Sequence, residues 1–451
     1  MFKNVKNMTV EEIEKELAAI EMYERTIDNV NVTTLLNKEI DTSFLEALQC
    51  TITPNGQLFR IDNQGFLPSM LEEMYEDRKK YKRMMLDAKQ EYENEKDVNN
   101  RHEIEKRIAR YHNLERAKKL SLNSCYGALG SKYFRLYDIR LALAVTTAGQ
   151  LSIKWIDKTL NTYMQSVLKT DRQYVIYCDT DSIYLSMEEL VKRYFKTGDD
   201  IQSIIKFMDK VCEQKIQPVI NKSYDDLSKY AHTYAQKMVM KRECLADKGI
   251  WIAKKRYILN VYNNEGVSYK EPKLKVMGLE MVKSSTPYVV RSKMKELIKL
   301  IVNSDEHAVQ KYIADFKSEF SKLEPEDVSF PRGVNGLSEY TDNYAIYKKG
   351  TPIHVKGALI YNHLLDKMSL SNTYEHIREG EKLKFVYLKT PNPIRQSVIS
   401  YPIRLPKEFK LHDYVDYNTQ FDKTFLAPIK IILDCIGWRS EKLNTLESFF
   451  A

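Results

Sequence analysis

The sequence predicts an α+β fold in which antiparallel strands and long helices occupy separate stretches of chain. Three observations carry this. A densely charged run from Leu67 to Leu122 holds no glycine and a single proline, Pro68, and reads as two long helices. The segment YCDTDSIY (177 to 184) lies between runs as apolar as YVIY and SIYL, so it reads as a tight hairpin. A strand-rich stretch, WIAKKRYILNVY (251 to 262) then KLKVMGLE (273 to 280), gives way after SSTP (284 to 287) to a mostly helical remainder.

In chain order, residues 1–64 mix a polar helix, TVEEIEKELAAIEMYE, with short extended pieces. TPNG (53 to 56) and DNQG (62 to 65) are turn signals that bracket QLFRI, a hairpin strand. Residues 65–122 form an antiparallel helical hairpin broken near DVNN (97 to 100). After GALG (127 to 130), a helix is expected from Asp138 to about Val167. Leu141, Val145, Ala148, Ser152, Trp155 or Ile156, and Leu160 recur at helical spacing there and give an apolar face suited to lie under a sheet. Helical segments follow the YCDTDSIY hairpin from Met187 to Tyr234, and residues 123–286 form one mixed region. Residues 287–451 begin with the helix VVRSKMKELIKLIV.

The 451 residues suggest about three domains. Hydrophobic residues make up 43% and charged residues 29%, enough apolar material for ordinary cores. A net charge of +8 is compatible with a nucleic-acid partner without requiring one. Cys50, Cys125, Cys178, Cys212, Cys244 and Cys435 show no CxxC spacing, which points away from a disulfide framework or a zinc site. The N-terminus lacks the apolar core of a signal peptide, and no run approaches the roughly 18 apolar residues of a membrane span. The sequence reads as a soluble intracellular protein in a reducing compartment.

Four constellations carry chemistry. In the hairpin tip, Asp179 and Asp181 stand one residue apart, and carboxylates this close either share a proton or hold a cation. A bare DTDS also suits an Asx turn or a piece of a calcium loop. Ile183 and Leu185, however, fill positions where a calcium loop needs oxygen ligands, so a hard ion such as Mg2+ is favoured. In AKKLSLNSCYGALG (117 to 130), Lys119, Asn123 and Tyr126 at i, i+4 and i+7 put a cation, an amide and a ring on one helix face. Gly127 then permits the helix to end or another backbone to approach. The alternative is a plain amphipathic helix.

DRKKYKR (77 to 83) sets five cations in six residues, with Arg78 and Lys82 sharing a face. Such runs often form a solvated surface. Antiparallel pairing of the two helices would instead bring Arg78 and Lys82 near Lys119, a grip for a polyphosphate. In WIAKKRYILNVY, strand alternation sets Lys254 and Arg256 on one face and Lys255 and Tyr257 on the other. Cations on both faces of a strand this apolar suit a phosphate backbone. Glu243, just upstream, is either a third carboxylate or an ordinary surface residue.

Taken in order, KKLSLNSCYG, YCDTDS and KKRY resemble the motifs of family B DNA polymerases, most closely those of large tailed phages. GFLPSMLEEMYEDRKKYKRMM is similar to the entry to their fingers. VMGLEMVKSSTP is similar to their palm-to-thumb junction, and HVKGALIYNHLL (354 to 365) to part of their thumb. The resemblance implies an incomplete polymerase palm with an antiparallel sheet, helical-hairpin fingers over 65–122 and a mostly helical thumb over 287–451. It implies that Asp181 ligates two catalytic Mg2+ ions with Asp179 beside it; Glu243 stays a candidate third ligand on its position alone. Arg78, Lys82 and Lys119 would grip the triphosphate of an incoming dNTP, and Asn123 and Tyr126 would line the nascent base-pair pocket. Lys254, Lys255, Arg256 and Tyr257 would hold the primer strand of a primer-template DNA. The terminal LNTLESFFA resembles a peptide that hooks onto a sliding clamp through Leu446, Phe449 and Phe450; the alternative is that these side chains fold back on the thumb.

The resemblance has one gap. The family's DxxSLYPS-type strand, which brings the first catalytic aspartate, is missing from the sequence, and there is no room before TPNG for an exonuclease domain. Two readings follow. In one, the chain is the C-terminal part of a split polymerase, completed by an N-terminal chain with the exonuclease domain and acting in a phage replication complex in the host cytoplasm. In the other, it is an inactive DNA-binding or clamp-binding remnant. A coiled-coil scaffold built on residues 67–122 would leave YCDTDSIY and KKRY unexplained.

Overall fold

The computed structural model describes residues 27, 29–342 and 345–442. The expected N-terminal helix in TVEEIEKELAAIEMYE, and Leu446, Phe449 and Phe450, lie outside the described residues. Runs of helices and small antiparallel sheets occupy separate stretches of the chain, as an α+β fold requires. The chain divides into two compact units, Met1–Leu245 with Val261–Pro272, and Ala246–Asn260 with Lys273–Ala451. Among the described residues no helix is long and apolar enough to cross a membrane.

In the first unit, short helices α1 (Val32–Leu36) and α2 (Phe44–Leu48) precede strands β1 (Cys50–Ile52) and β2 (Leu58–Arg60). TPNG is the turn joining these strands, which pair antiparallel with Thr51 opposite Phe59. Leu35, Leu45, Cys50 and Ile52 pack with Leu151, Trp155 and Leu227 from later helices, so this segment is anchored by a core of its own.

Helices α3 (Phe66–Asn94) and α4 (Val98–Leu129) form the expected hairpin. Pro68 is harmless in the first turn, where the missing N–H has no helical partner. The break falls at residues 95–97; DVNN provides the cap and first turn of α4, with the Asp97 carboxylate accepting from the N–H groups of Asn99 and Asn100. The seam is thin, with only Met85, Ala88 and Ile104 buried on the two helices. Polar pairs run along it instead: Arg78 to Glu115 at 2.8 Å, Lys118 to Asp77 at 2.6 Å, Tyr92 to Glu105 at 2.9 Å and Arg107 to Glu91 at 2.6 Å.

Helix α5 (Ile139–Leu168) starts at the Asp138 cap. Its second half buries Leu151, Trp155, Ile156, Leu160, Met164 and Leu168, and strands β3 (Val175–Asp179) and β4 (Ser182–Leu185) lie against it. Its first half departs from the expected face: Val145 is exposed, and Ala142 and Ala144 are buried in its place. Helices α6 (Glu188–Tyr194), α7 (Ile201–Val211) and α8 (Gln217–Tyr230) follow, with a π-helical turn, Cys212–Ile216, joining α7 to α8. Ile216, Ile220 and Tyr224 close a core with Ile156, Leu160 and Tyr174.

Strands β5 (Cys244–Ala253), β6 (Arg256–Asn264) and β7 (Val267–Met277) form a sheet of order β5-β6-β7, and each strand continues from one unit into the other. The second unit then has two cores. One packs α9 (Tyr288–Asn303) and α10 (Glu306–Phe320) with Phe421 and Phe425. The other packs α11 (Ile353–Lys367) on strands β8 (Phe330–Gly333), β9 (Lys382–Tyr387) and β10 (Val398–Tyr401), in the order β10-β9-β8.

Candidate active site

The β3–β4 turn is as tight as the sequence suggests. Asp179 pairs with Ser182, leaving Thr180 and Asp181 at the tip, with Thr180 at φ +56°. The Asp181 N–H donates to the Asp179 carbonyl at 2.7 Å, the Ser182 hydroxyl donates to the same carbonyl at 3.1 Å, and the Thr180 hydroxyl donates to the Asp179 carboxylate at 2.9 Å. Backbone contacts thus fix both aspartates on one short turn, with Asp181 exposed and Asp179 half-buried. Tyr224 of α8 lies within the electrostatic reach of Asp181: burial pushes its phenol pKa up, a bond to Ser152 opposes the shift, and the Asp181 charge adds to it.

Carboxylate oxygens are the ligands a hard divalent ion takes, so this pair fits part of a Mg2+ site. Among the described residues no group of three or more His, Cys, Asp or Glu side chains is placed to hold a metal, so the fit stops at two carboxylates. Glu243 does not join them as a third; it is exposed just before β5, and its carbonyl accepts the Glu265 N–H.

On α4, Lys119, Asn123 and Tyr126 are all exposed along one face, as their spacing requires. Gly127 does not end the helix. It runs on to Leu129, with Gly130 as its cap, and a Cβ at Gly127 would meet no atom within 4 Å. The cations of α3 are engaged. Arg78 meets Glu115, and Lys82 pairs with Glu265 on the β6–β7 turn. Because Asp77 stands opposite Lys118, Arg78 lies within about one helical turn of Lys119 along the pair, and Lys82 roughly two turns from it.

The KKRY segment differs from expectation. Lys254 and Lys255 are not strand residues with alternating faces; they form the two-residue turn between β5 and β6, and Arg256 opens the return strand. Lys255 takes φ +63°, and a Cβ on Gly278 would stand 2.1 Å from the Lys255 carbonyl oxygen. Only glycine tolerates that approach, and Gly278 is itself at φ +68°. The Arg256 guanidinium is held by Glu280 at 2.7 Å. Tyr257 is 6% exposed, so its ring belongs to the protein interior and offers a strand of DNA little surface.

The residues that sequence reasoning missed are the acidic partners, Glu115 and Glu265. Glu115 lies four residues before Lys119, a spacing that sets both on one helix face and was readable. Glu265 lies 183 residues from Lys82, and nothing local announces their pairing.

The sequence model described as DNA polymerase family B matches residues 25–436. The chain is 33% identical over 453 aligned residues to the DNA-directed DNA polymerase of Escherichia phage RB69, which covers 88% of this chain and 49% of that protein. It is 32% identical over 351 residues to that of Enterobacteria phage T4, covering 74% and 38% respectively. DNA polymerase 1 of Pyrococcus abyssi is 24% identical over 392 residues, covering 86% and 41%. The chain therefore spans less than half the length of each of these relatives. A match over most of the chain, with the paired aspartates on a hairpin tip and the basic helical hairpin in one unit, shows that the chain belongs to the family B DNA polymerases.

Proposed function

We propose that this chain supplies the fingers, most of the palm and the thumb of a DNA-directed DNA polymerase, whose remaining metal carboxylate comes from polypeptide outside this sequence. The observation that carries the reading is the incomplete acidic pair: Asp179 and Asp181 are held on a fixed turn, yet no third ligand joins them among the described residues. A separate N-terminal chain with an exonuclease domain would complete the set. The assembly would act in a phage replication complex in the host cytoplasm.

In this reading Asp181 and Asp179 hold Mg2+, two ions in all with the further carboxylate. When bound, those ions supply the charge neutralisation that in-line displacement at a phosphate needs. The primer 3′-hydroxyl gives up its proton to water and its oxygen forms a bond to the α-phosphorus of the dNTP, the bond from that phosphorus to the oxygen bridging to the β-phosphate breaks, and pyrophosphate leaves with that electron pair. Lys119, with Arg78 and Lys82, binds the triphosphate oxygens and holds the α-phosphate in line. Asn123 and Tyr126 bound the base-pair pocket, and the exposed Tyr126 ring offers a stacking face. Lys254 and Lys255, at the tip of the β5–β6 turn, and Arg256 neutralise primer-strand phosphates, with Tyr257 supporting the turn from beneath. Leu446, Phe449 and Phe450 engage a sliding clamp.

Primer extension with Mg2+ and dNTPs tests this, using the chain alone and then with a candidate N-terminal piece carrying the exonuclease domain and a DxxSLYPS strand. Extension with both and not with either alone supports the split enzyme. A stable complex on DNA that extends nothing supports a binding remnant instead.

A further inference from the structure

Lys82 is not waiting in solvent for a phosphate. It pairs with Glu265, at the tip of the turn between β6 and β7. That turn is built to hold its shape. Asn263, 3% exposed, accepts a hydrogen bond from Arg242 and another from the Gly266 N–H at 3.2 Å, and its amide donates to the Ser268 hydroxyl at 2.9 Å. Arg242 is fixed in turn by Asp209 on α7. Glu265 itself sits at φ +51°, a conformation uncommon for a residue with a side chain, and its N–H is tied to the Glu243 carbonyl. With Gly266 at φ +90°, it makes the left-handed pair that a two-residue hairpin turn takes, so the Glu265 carboxylate stands on a fixed tip. The same turn grips α3 a second time, two turns beyond Lys82, where the Gln90 side chain accepts the Ser268 N–H at 3.1 Å.

We propose that Glu265 is a positioning residue for the nucleotide site: its carboxylate holds Lys82, and with it α3, against the β6–β7 turn until a triphosphate takes its place. The proposal rests on the reading of Lys82 as a phosphate ligand. A triphosphate carries more negative charge than one carboxylate and offers more acceptor oxygens, so the exchange runs forward when nucleotide is present. Each nucleotide then competes with Glu265 for Lys82. The charge of Glu265 thereby sets how much nucleotide is needed to free the helical hairpin from the turn.

Equilibrium titration of the full chain with dATP and Mg2+ tests this in wild type, Glu265→Gln, Lys82→Met, Lys119→Met and the Glu265→Gln/Lys82→Met double variant. Glutamine keeps the size and hydrogen-bonding capacity of the turn residue, so the fold is preserved. Glu265→Gln is expected to tighten dATP binding about two- to fivefold, the scale of one partly exposed ion pair. Lys82→Met is expected to weaken binding and to abolish the effect of Glu265→Gln. In wild type, dATP should also raise hydrogen exchange at residues 263–268, and in Glu265→Gln that rise should be lost. If Lys82→Met weakens binding while Glu265→Gln leaves it unchanged or weaker, the exchange is wrong and the nucleotide reading stands. If binding ignores Lys82 and Lys119 alike, the nucleotide reading falls and the proposal with it.

Discussion

Asp181 is exposed at the end of a turn whose hydrogen bonds come from backbone and from Thr180 and Ser182. Asp181→Asn should therefore leave the melting temperature unchanged. It should lower primer extension by the reconstituted enzyme at least about a hundredfold, because a lost metal ligand removes several kcal/mol of charge stabilisation. Extension at the wild-type rate would overturn the metal assignment. Gly278→Ala would drive a methyl into the Lys255 carbonyl at a positive φ, and should destabilise the protein by roughly 2 kcal/mol or more, measured as a lower denaturant midpoint.

At the scale of elements, the helical hairpin is long but thinly cored. Exposed ion pairs add little in water, so its cohesion rests on Met85, Ala88 and Ile104. Ile104→Ala should remove about 2 kcal/mol locally, the low end for such a change because a thin seam can collapse. Hydrogen exchange should then speed up in α3 and α4 while the second half of α5, with its deeper core, keeps its protection. The same contrast explains what was readable in the sequence. The hairpin was legible because a run free of glycine, with its one proline in a first turn, leaves helix as the natural conformation. YCDTDSIY was legible because β-branched and aromatic flanks enclose the short polar run Asp179-Thr180-Asp181-Ser182. The β5–β6 turn was not, because Lys-Lys carries no turn signal. The Lys255 carbonyl finds room against Gly278, which comes from a later stretch of chain. Likewise the face of α5 shifted in its first half, where helical spacing alone cannot say which neighbours arrive. The cation cluster of α3 was legible as charge, but the acidic partners of Arg78 and Lys82 belong to α4 and to a distant turn.

At the scale of the whole molecule, a net charge of +8 is modest, so binding to DNA depends on where cations are concentrated. Lys254 and Lys255 share the tip of one turn, locked from behind by Gly278 and by the Arg256–Glu280 pair. Two ammonium groups on a fixed turn can each release one condensed counterion from a phosphate backbone. Affinity for primer-template DNA should fall as salt rises, and the logarithmic slope should count the phosphates neutralised. Lys254→Ala combined with Lys255→Asn removes both charges, and asparagine tolerates the left-handed conformation that position 255 needs. This double variant should lessen the slope by about two and weaken binding to all sequences alike, as loss of phosphate contacts rather than base contacts predicts. Fluorescence anisotropy across a salt series, with two duplexes of unrelated sequence, measures both quantities at once. An unchanged slope would remove the turn from the DNA path. A loss confined to one sequence would make it a reader of bases instead of a neutraliser of the backbone.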